Sequence, residues 1–134
     1  MKNVNRKNGN DFEKAFCETL YKNGFWVHNF AQKASGQPAD IIAVRNKEAH
    51  LIDCKVCSKR GFVLERMEEN QDLSMTFWKD CGNGNGWFAI LLDGSVYMIP
   101  HVVVAGVLHS QSAFSPNDIR EFGFIIDRWI AICT

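Results

Sequence analysis

Nothing in the sequence approaches the ~18 consecutive apolar residues that cross a bilayer as a helix. The opening MKNVNRKNGND also lacks the apolar stretch of a secretory signal. The expectation is a cytoplasmic protein with no membrane partner. Repeats, low-complexity tracts and linkers are missing too, which leaves one domain over residues 1–134. The cysteines are odd in number, 5, and show no framework spacing for disulfides. Cys54 and Cys57 form a C-x-x-C, yet no second pair or His-x-x-x-His accompanies them to complete a tetrahedral zinc site. They lie along and just past an expected strand, whereas a thioredoxin-like pair sits at the start of a helix. Reduced, partly buried thiols fit that placement. Net charge is absent as well, with 15 Lys and Arg against 15 Asp and Glu. What remains is 46% hydrophobic and 22% charged, the balance of an ordinary soluble globular domain. The length suffices for a real core without staples.

The charge is unevenly spread. Residues 1–66 hold twelve Lys and Arg against seven Asp and Glu, and the remainder holds three against eight. Such asymmetry is compatible with a nucleic-acid partner on the basic half, and equally with a solvated surface.

Apolar residues at Phe12, Ala15, Phe16, Thr19 and Leu20 recur at helical spacing, with Asn10 as N-cap and Asn23-Gly24 as the stop. FWVHNF reads as a short strand and AQKASGQP as loop. Strands follow at 39–44 and 50–57, joined by RNKE. LERMEENQDLSMTFWKDCG reads as a second helix. WFAILL and SVYMI flank Asp93-Gly94, a strong hairpin signal. PHVVVAGVLHS is expected as a short helix with Pro100 in its first position, and SPNDIREFG as another, capped by Ser115 with Pro116 at N1. FIIDRWIAIC closes the chain as an expected strand or extended tail. The order predicts an α/β fold, a central mixed sheet with helices packed on it.

Three charges interrupt the apolar strands. Side chains alternate across a strand, so Asp53 and Lys55 share one face with Leu51, while Ile52, Cys54 and Val56 take the other. Asp40 stands at the start of the neighbouring strand. Two carboxylates brought together repel unless neutralised. A hard divalent cation would neutralise them, because Mg²⁺ takes one or two carboxylates plus waters and phosphate oxygens. Lys55 would then reach a phosphate or an attacking water, which suits metal-assisted phosphodiester hydrolysis. The plainer reading is a buried Asp–Lys ion pair at a sheet edge. Glu13 on the first helix neighbours the Phe12/Phe16 face. On the second helix Gln71 falls on the stripe made by Met67, Met75 and Trp78, where it needs a partner.

P-x-D at Pro38–Asp40, followed by D-x-K at Asp53–Lys55 and preceded by Glu13 on a helix, resembles the PD-(D/E)XK nuclease superfamily, whose fold is restriction-endonuclease-like. SGQPADIIAV, HLIDCKVC, FVLERMEENQ, GWFAILLDGSVYMIP and DIREFGFII are similar to Holliday junction resolvases of the RecU type. The opening RKNGNDFEKAFCETLYKNGF is also similar to the archaeal junction resolvases. The resemblance implies a metal site from Asp40, Asp53 and the Cys54 carbonyl, with Glu13 as a direct or water-mediated ligand. It makes Lys55 the catalytic lysine and matches Gln71 and Ser35 to the helix glutamine and the loop serine. The cofactor implied is Mg²⁺, with Mn²⁺ as a substitute. RecU-type chains carry a long stalk insertion between the helical glutamate and the first aspartate. Here only 26 residues separate Glu13 from Asp40, as in a reduced phage version or the archaeal branch.

Lys2, Arg6, Lys7, Lys33, Lys59, Arg60 and Arg66 surround these motifs in sequence and are expected to contact DNA phosphates, which position a duplex without reading its sequence. The implied activity is paired cutting of four-way or other branched DNA in recombination, repair or phage DNA processing. Paired cutting points to a C2 homodimer, for which Trp87, Phe88, Phe122, Phe124, Trp129 and the VVVAGVL run offer apolar surface. Two alternatives stand beside it: a restriction-like or repair endonuclease acting on other DNA, and a non-catalytic DNA-binding module with this fold.

Overall fold

A computed structural model of the chain describes residues 2–30, 39–57, 61–63, 67 and 69–133, with the side chains of 2–8, 62 and 63 outside it. Helix α1 (Lys2–Lys22) leads into β1 (Trp26–Asn29), β2 (Ile41–Arg45) and β3 (Glu48–Val56). A short β4 (Phe62–Val63) precedes α2 (Glu69–Asp80), and the hairpin β5 (Trp87–Leu92) and β6 (Ser95–Pro100) follows. The chain then runs through α3 (His101–Ser110), β7 (Ala113–Phe114), α4 (Pro116–Phe122), β8 (Phe124–Ile125) and α5 (Ile126–Ile132).

Six strands form one mixed sheet in the order β1-β2-β3-β5-β6-β8, and β4 pairs with β7 apart from it. Only the central β3–β5 pair in that sheet is parallel, with Asp53 opposite Phe88 and Lys55 opposite Ile90. A parallel pair needs a crossover, and α2 lies in the one between β3 and β5. That connection carries Gln71 back over the strand that bears Asp53.

Both faces of the sheet are covered. Phe12, Phe16 and Leu20 of α1 and Trp129 and Ile130 of α5 pack with Ile41, Ile52 and Met98. Met75, Val104, Leu108 and Ile119 from α2, α3 and α4 pack with Leu51, Phe88 and Ile90 on the other side. Leu51 and Ile52 thus face opposite layers, as the strand alternation requires.

The turns follow their sequences. Asn46 and Lys47 (φ 53° and 69°) make a two-residue turn between β2 and β3, and Asp93 and Gly94 (φ 49° and 78°) close the β5–β6 hairpin. Ser115 caps α4 and accepts from the Asp118 N–H, while the Asp118 carboxylate accepts from the Ser115 N–H.

Three expectations need correction, and a fourth, the start of the second helix, falls largely outside the described residues. Helix α1 begins at Lys2, so Asn10 is interior and no N-cap; no proline stands before it, and a side chain at Gly9 would meet open space. The second helix is described only from Glu69, with 64–66 and 68 outside the described residues. Pro100 is the residue before α3, because it still pairs with Trp87 in the sheet. The C-terminal segment is a two-residue strand and a helix. Ile126, Trp129, Ile130 and Cys133 lie at i, i+3, i+4 and i+7, so helical winding turns all four side chains into one layer, Ile126 partly buried and the other three buried. Of the apolar residues offered for an interface, Phe88 and Trp129 are fully interior.

Candidate active site

Asp40 is fixed before β2 begins. Its N–H donates to the Ile52 carbonyl (3.2 Å), and its carbonyl accepts from the Phe30 N–H (2.8 Å). Its carboxylate Oδ2 accepts from the Cys54 N–H at 2.8 Å. The backbone of the D-C-K tripeptide therefore orients the first aspartate directly.

Asp53 is 1% exposed. Its Oδ1 accepts from Gln71 Nε2 at 3.0 Å, through a buried bond from α2 to β3. Its Oδ2 lies 3.0 Å from the Lys55 ammonium in a close ion pair. Burial pushes the Asp53 carboxyl up to about 8; Lys55 pulls it down, and the Asp40 charge pushes it up again.

Glu13 is also buried, at 7% exposure. Its charge reaches the same cluster from α1. The Cys54 thiol is pushed well above its usual range by burial and then by Asp40, Asp53 and Glu13 in turn. Cys17, one helical turn beyond Glu13, is raised to about 11 by burial, then by Glu13 and Asp40. Sequence reasoning passed over Cys17, although its i+4 spacing from Glu13 placed it on the same helix face.

Glu13, Asp40, Asp53, Lys55 and Gln71 are thus brought together from α1, the start of β2, β3 and α2. Ser35, Lys33, Lys59, Arg60 and Arg66 lie outside the described residues, and Lys2, Arg6 and Lys7 lie in α1 with their side chains outside the description.

The donor set is compatible with a hard cation. Among the described residues no three His, Cys, Asp or Glu side chains make up a ligand set by themselves. Two carboxylates suffice for Mg²⁺, which retains several waters. Gln71 Oε1 is a buried acceptor without a donor, and a cation with its bound waters beside Asp53 would satisfy it. Hard oxygen ligands dominate the cluster, which favours a hard metal over a soft one.

A family model for the archaeal Holliday junction resolvase (Hjc) matches residues 4–111. The solved structure of Hjc from Archaeoglobus fulgidus, a Holliday junction resolvase of an archaeal hyperthermophile, superposes with a TM-score of 0.68 at 19% identity, covering 91% of this chain and 99% of that one. That likeness shows the restriction-endonuclease-like fold. No curated protein sequence matches the chain. The sequence resembled two groups of resolvases, and the match is to the archaeal one: the chain belongs to the archaeal Holliday junction resolvase family.

Proposed function

We propose that this resolvase hydrolyses junction phosphodiesters at a Mg²⁺ site held by Asp40, Asp53 and the Cys54 carbonyl, with Glu13 reaching the ion through water and Mn²⁺ able to substitute. The observation that carries the reading is Asp53: a nearly fully buried carboxylate with a second carboxylate beside it, whose ion pair with Lys55 offsets that burial only in part. Such an arrangement is costly without a cation. The ion would supply a more acidic water and charge compensation at the phosphoryl oxygen. Lys55, now paired with Asp53, would turn its ammonium to the scissile phosphate and stabilise charge that develops there. Gln71 holds Asp53 Oδ1 and thereby fixes the carboxylate plane. Ser35 would join the catalytic set from its loop, and Lys2, Arg6, Lys7, Lys33, Lys59, Arg60 and Arg66 would contact the DNA backbone.

Two cuts on opposing strands of a four-way junction call for a homodimer with two-fold symmetry. On α2, Leu73 and Phe77 are 62% and 70% exposed. They border a cavity of about 540 Å³ also lined by Phe30, Ile42, Leu51 and Trp78. An exposed ring beside an apolar hollow on one face is a surface that a two-fold interface would cover, and its uncharged lining is unsuited to phosphates. Phe77→Asp is expected to leave a folded monomer by sedimentation and to abolish simultaneous paired cuts.

The test of the site is cleavage of a labelled immobile four-way junction and a matched linear duplex, in Mg²⁺ and in EDTA. Asp53→Ala or Lys55→Ala should eliminate cleavage and retain junction binding. Cutting by either variant would refute the assignment. Equal cutting of junction and duplex would favour the restriction-like alternative.

A further inference from the structure

Outside the cluster just described, one polar pair, buried on its histidine side only, has no part in the proposed chemistry. His101, the first residue of α3, is 5% exposed. Its Nε2 lies 2.6 Å from Oδ1 of Asp72 on α2. A carboxylate only accepts, so Nε2 carries the proton and donates. The pair joins elements 29 residues apart.

The surroundings make this contact part of a closed clamp. The His101 N–H donates to the Gly86 carbonyl at 2.8 Å. Gly86 lies under Met75 of α2 so closely that a Cβ there would stand 2.6 Å from Met75 Cγ and 2.8 Å from Sδ. The His101 ring packs near Phe88, the strand residue opposite Asp53. Helix α2 is therefore held at Met75 against the backbone before β5, and at Asp72 against the start of α3, two points that are themselves hydrogen-bonded.

Two such points fix what one cannot. Gln71 and Met75 are one turn apart and buried on the same face. Apolar packing at Met75 and Trp78 has no direction of its own and resists rolling about the helix axis less than a hydrogen bond does. Asp72 is turned about 100° from Gln71 around that axis, so anchoring it removes the roll. The roll angle decides whether Gln71 Nε2 meets Asp53 Oδ1.

We infer that His101 and Asp72 are positioning residues for the cleavage reaction: their hydrogen bond sets the rotation of α2 that presents Gln71 to Asp53. The inference rests on the proposed role of Gln71 at the metal-binding carboxylate, and a double-mutant cycle separates the two.

The experiment is single-turnover cleavage of a labelled four-way junction at saturating enzyme in Mg²⁺, well below every variant's unfolding midpoint, with junction affinity measured in parallel. His101→Ala and Asp72→Ala should each slow cleavage roughly 10-fold or more, since small misplacements of catalytic groups carry such costs, with affinity unchanged within about twofold. His101→Gln, whose amide can donate to Asp72, should recover most of the rate. Adding His101→Ala to Gln71→Ala should slow cleavage no further. Wild-type rates in both single Ala variants, with Gln71→Ala slow, would overturn this inference alone. So would the full loss repeated in the Gln71→Ala background, the mark of a merely structural role. A wild-type rate for Gln71→Ala would overturn the role of Gln71 and the positioning together. Asp72 is 43% exposed, so Asp72→Ala keeps the test decisive should His101→Ala fail to fold.

Discussion

Replacing Asp53 by Asn should make the metal-free protein more stable and inactive. The native carboxyl has its pKa raised from 3.8 to about 8, by burial first and by Asp40 in addition, against the pull of Lys55. Between those values the unfolded chain is ionised at this position while the folded chain holds the proton, so stability falls as pH rises through the window and levels off above pH 8. At ~1.36 kcal/mol per pH unit between 3.8 and about 8, the upper bound is about 6 kcal/mol. Relaxation and water penetration reduce such penalties. We expect a gain of about 2 kcal/mol for Asp53→Asn at pH 8.5, or roughly 8 °C in Tm for a domain of this size. The Asn carbonyl still accepts from Gln71 Nε2, and its amide can donate toward Asp40. At pH 4 the native carboxyl is already neutral and the gain should shrink to nearly nothing. Thermal melts by circular dichroism in EDTA from pH 4 to 9 measure both limits. Mg²⁺ should raise the wild-type Tm and leave that of Asp53→Asn almost unchanged. No gain at pH 8.5, or an equal gain at pH 4, would refute the reasoning that a buried carboxylate, only partly compensated by Lys55, is held for the cation.

Arg45 donates to the carbonyls of Asn23 (3.0 Å), Ile130 (2.6 Å) and Cys133, and its guanidinium lies 4.4 Å from the centre of the Phe25 ring. Arg45→Ala should cost about 2–3 kcal/mol by urea unfolding and speed proteolysis at the α5 end. Gly61 has φ +82°, and a Cβ there would fall on the Phe114 carbonyl oxygen and 2.9 Å from Ser115 Cα. Gly61→Ala should therefore cost about 1–3 kcal/mol, read as a lower urea midpoint. His50 packs against Phe25 and Trp129, and burial holds its pKa below 6.5, reinforced by Arg45 and opposed by Glu48. The folded protein resists the proton that the unfolded chain binds, so this group's contribution is full above pH 6.5 and declines as pH falls toward the lowered native value. His50→Gln should flatten the pH dependence of the urea midpoint in that window.

Local pattern determined much of this protein. The Asp93-Gly94 hairpin, the Ser115 cap and the Phe12/Phe16/Leu20 face follow from turn chemistry and periodicity, which act over a few residues. The alternation Leu51–Ile52–Asp53–Cys54–Lys55 likewise fixed which side chains share a face of β3, because a strand has period two. The C-terminal helix was legible in the spacing of Ile126, Trp129, Ile130 and Cys133. Its isoleucines favour strands, and a propensity reading loses to the burial of Trp129 between Phe25 and Trp87.

Other features had no local signal. That β3 pairs in parallel with β5, and that α2 consequently crosses over Asp53, depends on the layering of the whole sheet. The burial of Asp53, and with it the raised pKa, arises only when α2 and β5 close over the strand. The pairing of Asp72 with His101, 29 residues away, leaves no mark in either segment. Sequence decided which residues can bear charge on which strand face; the tertiary structure decided which of those charges are kept from water, and burial is what turns a common tripeptide into a site that calls for a cation.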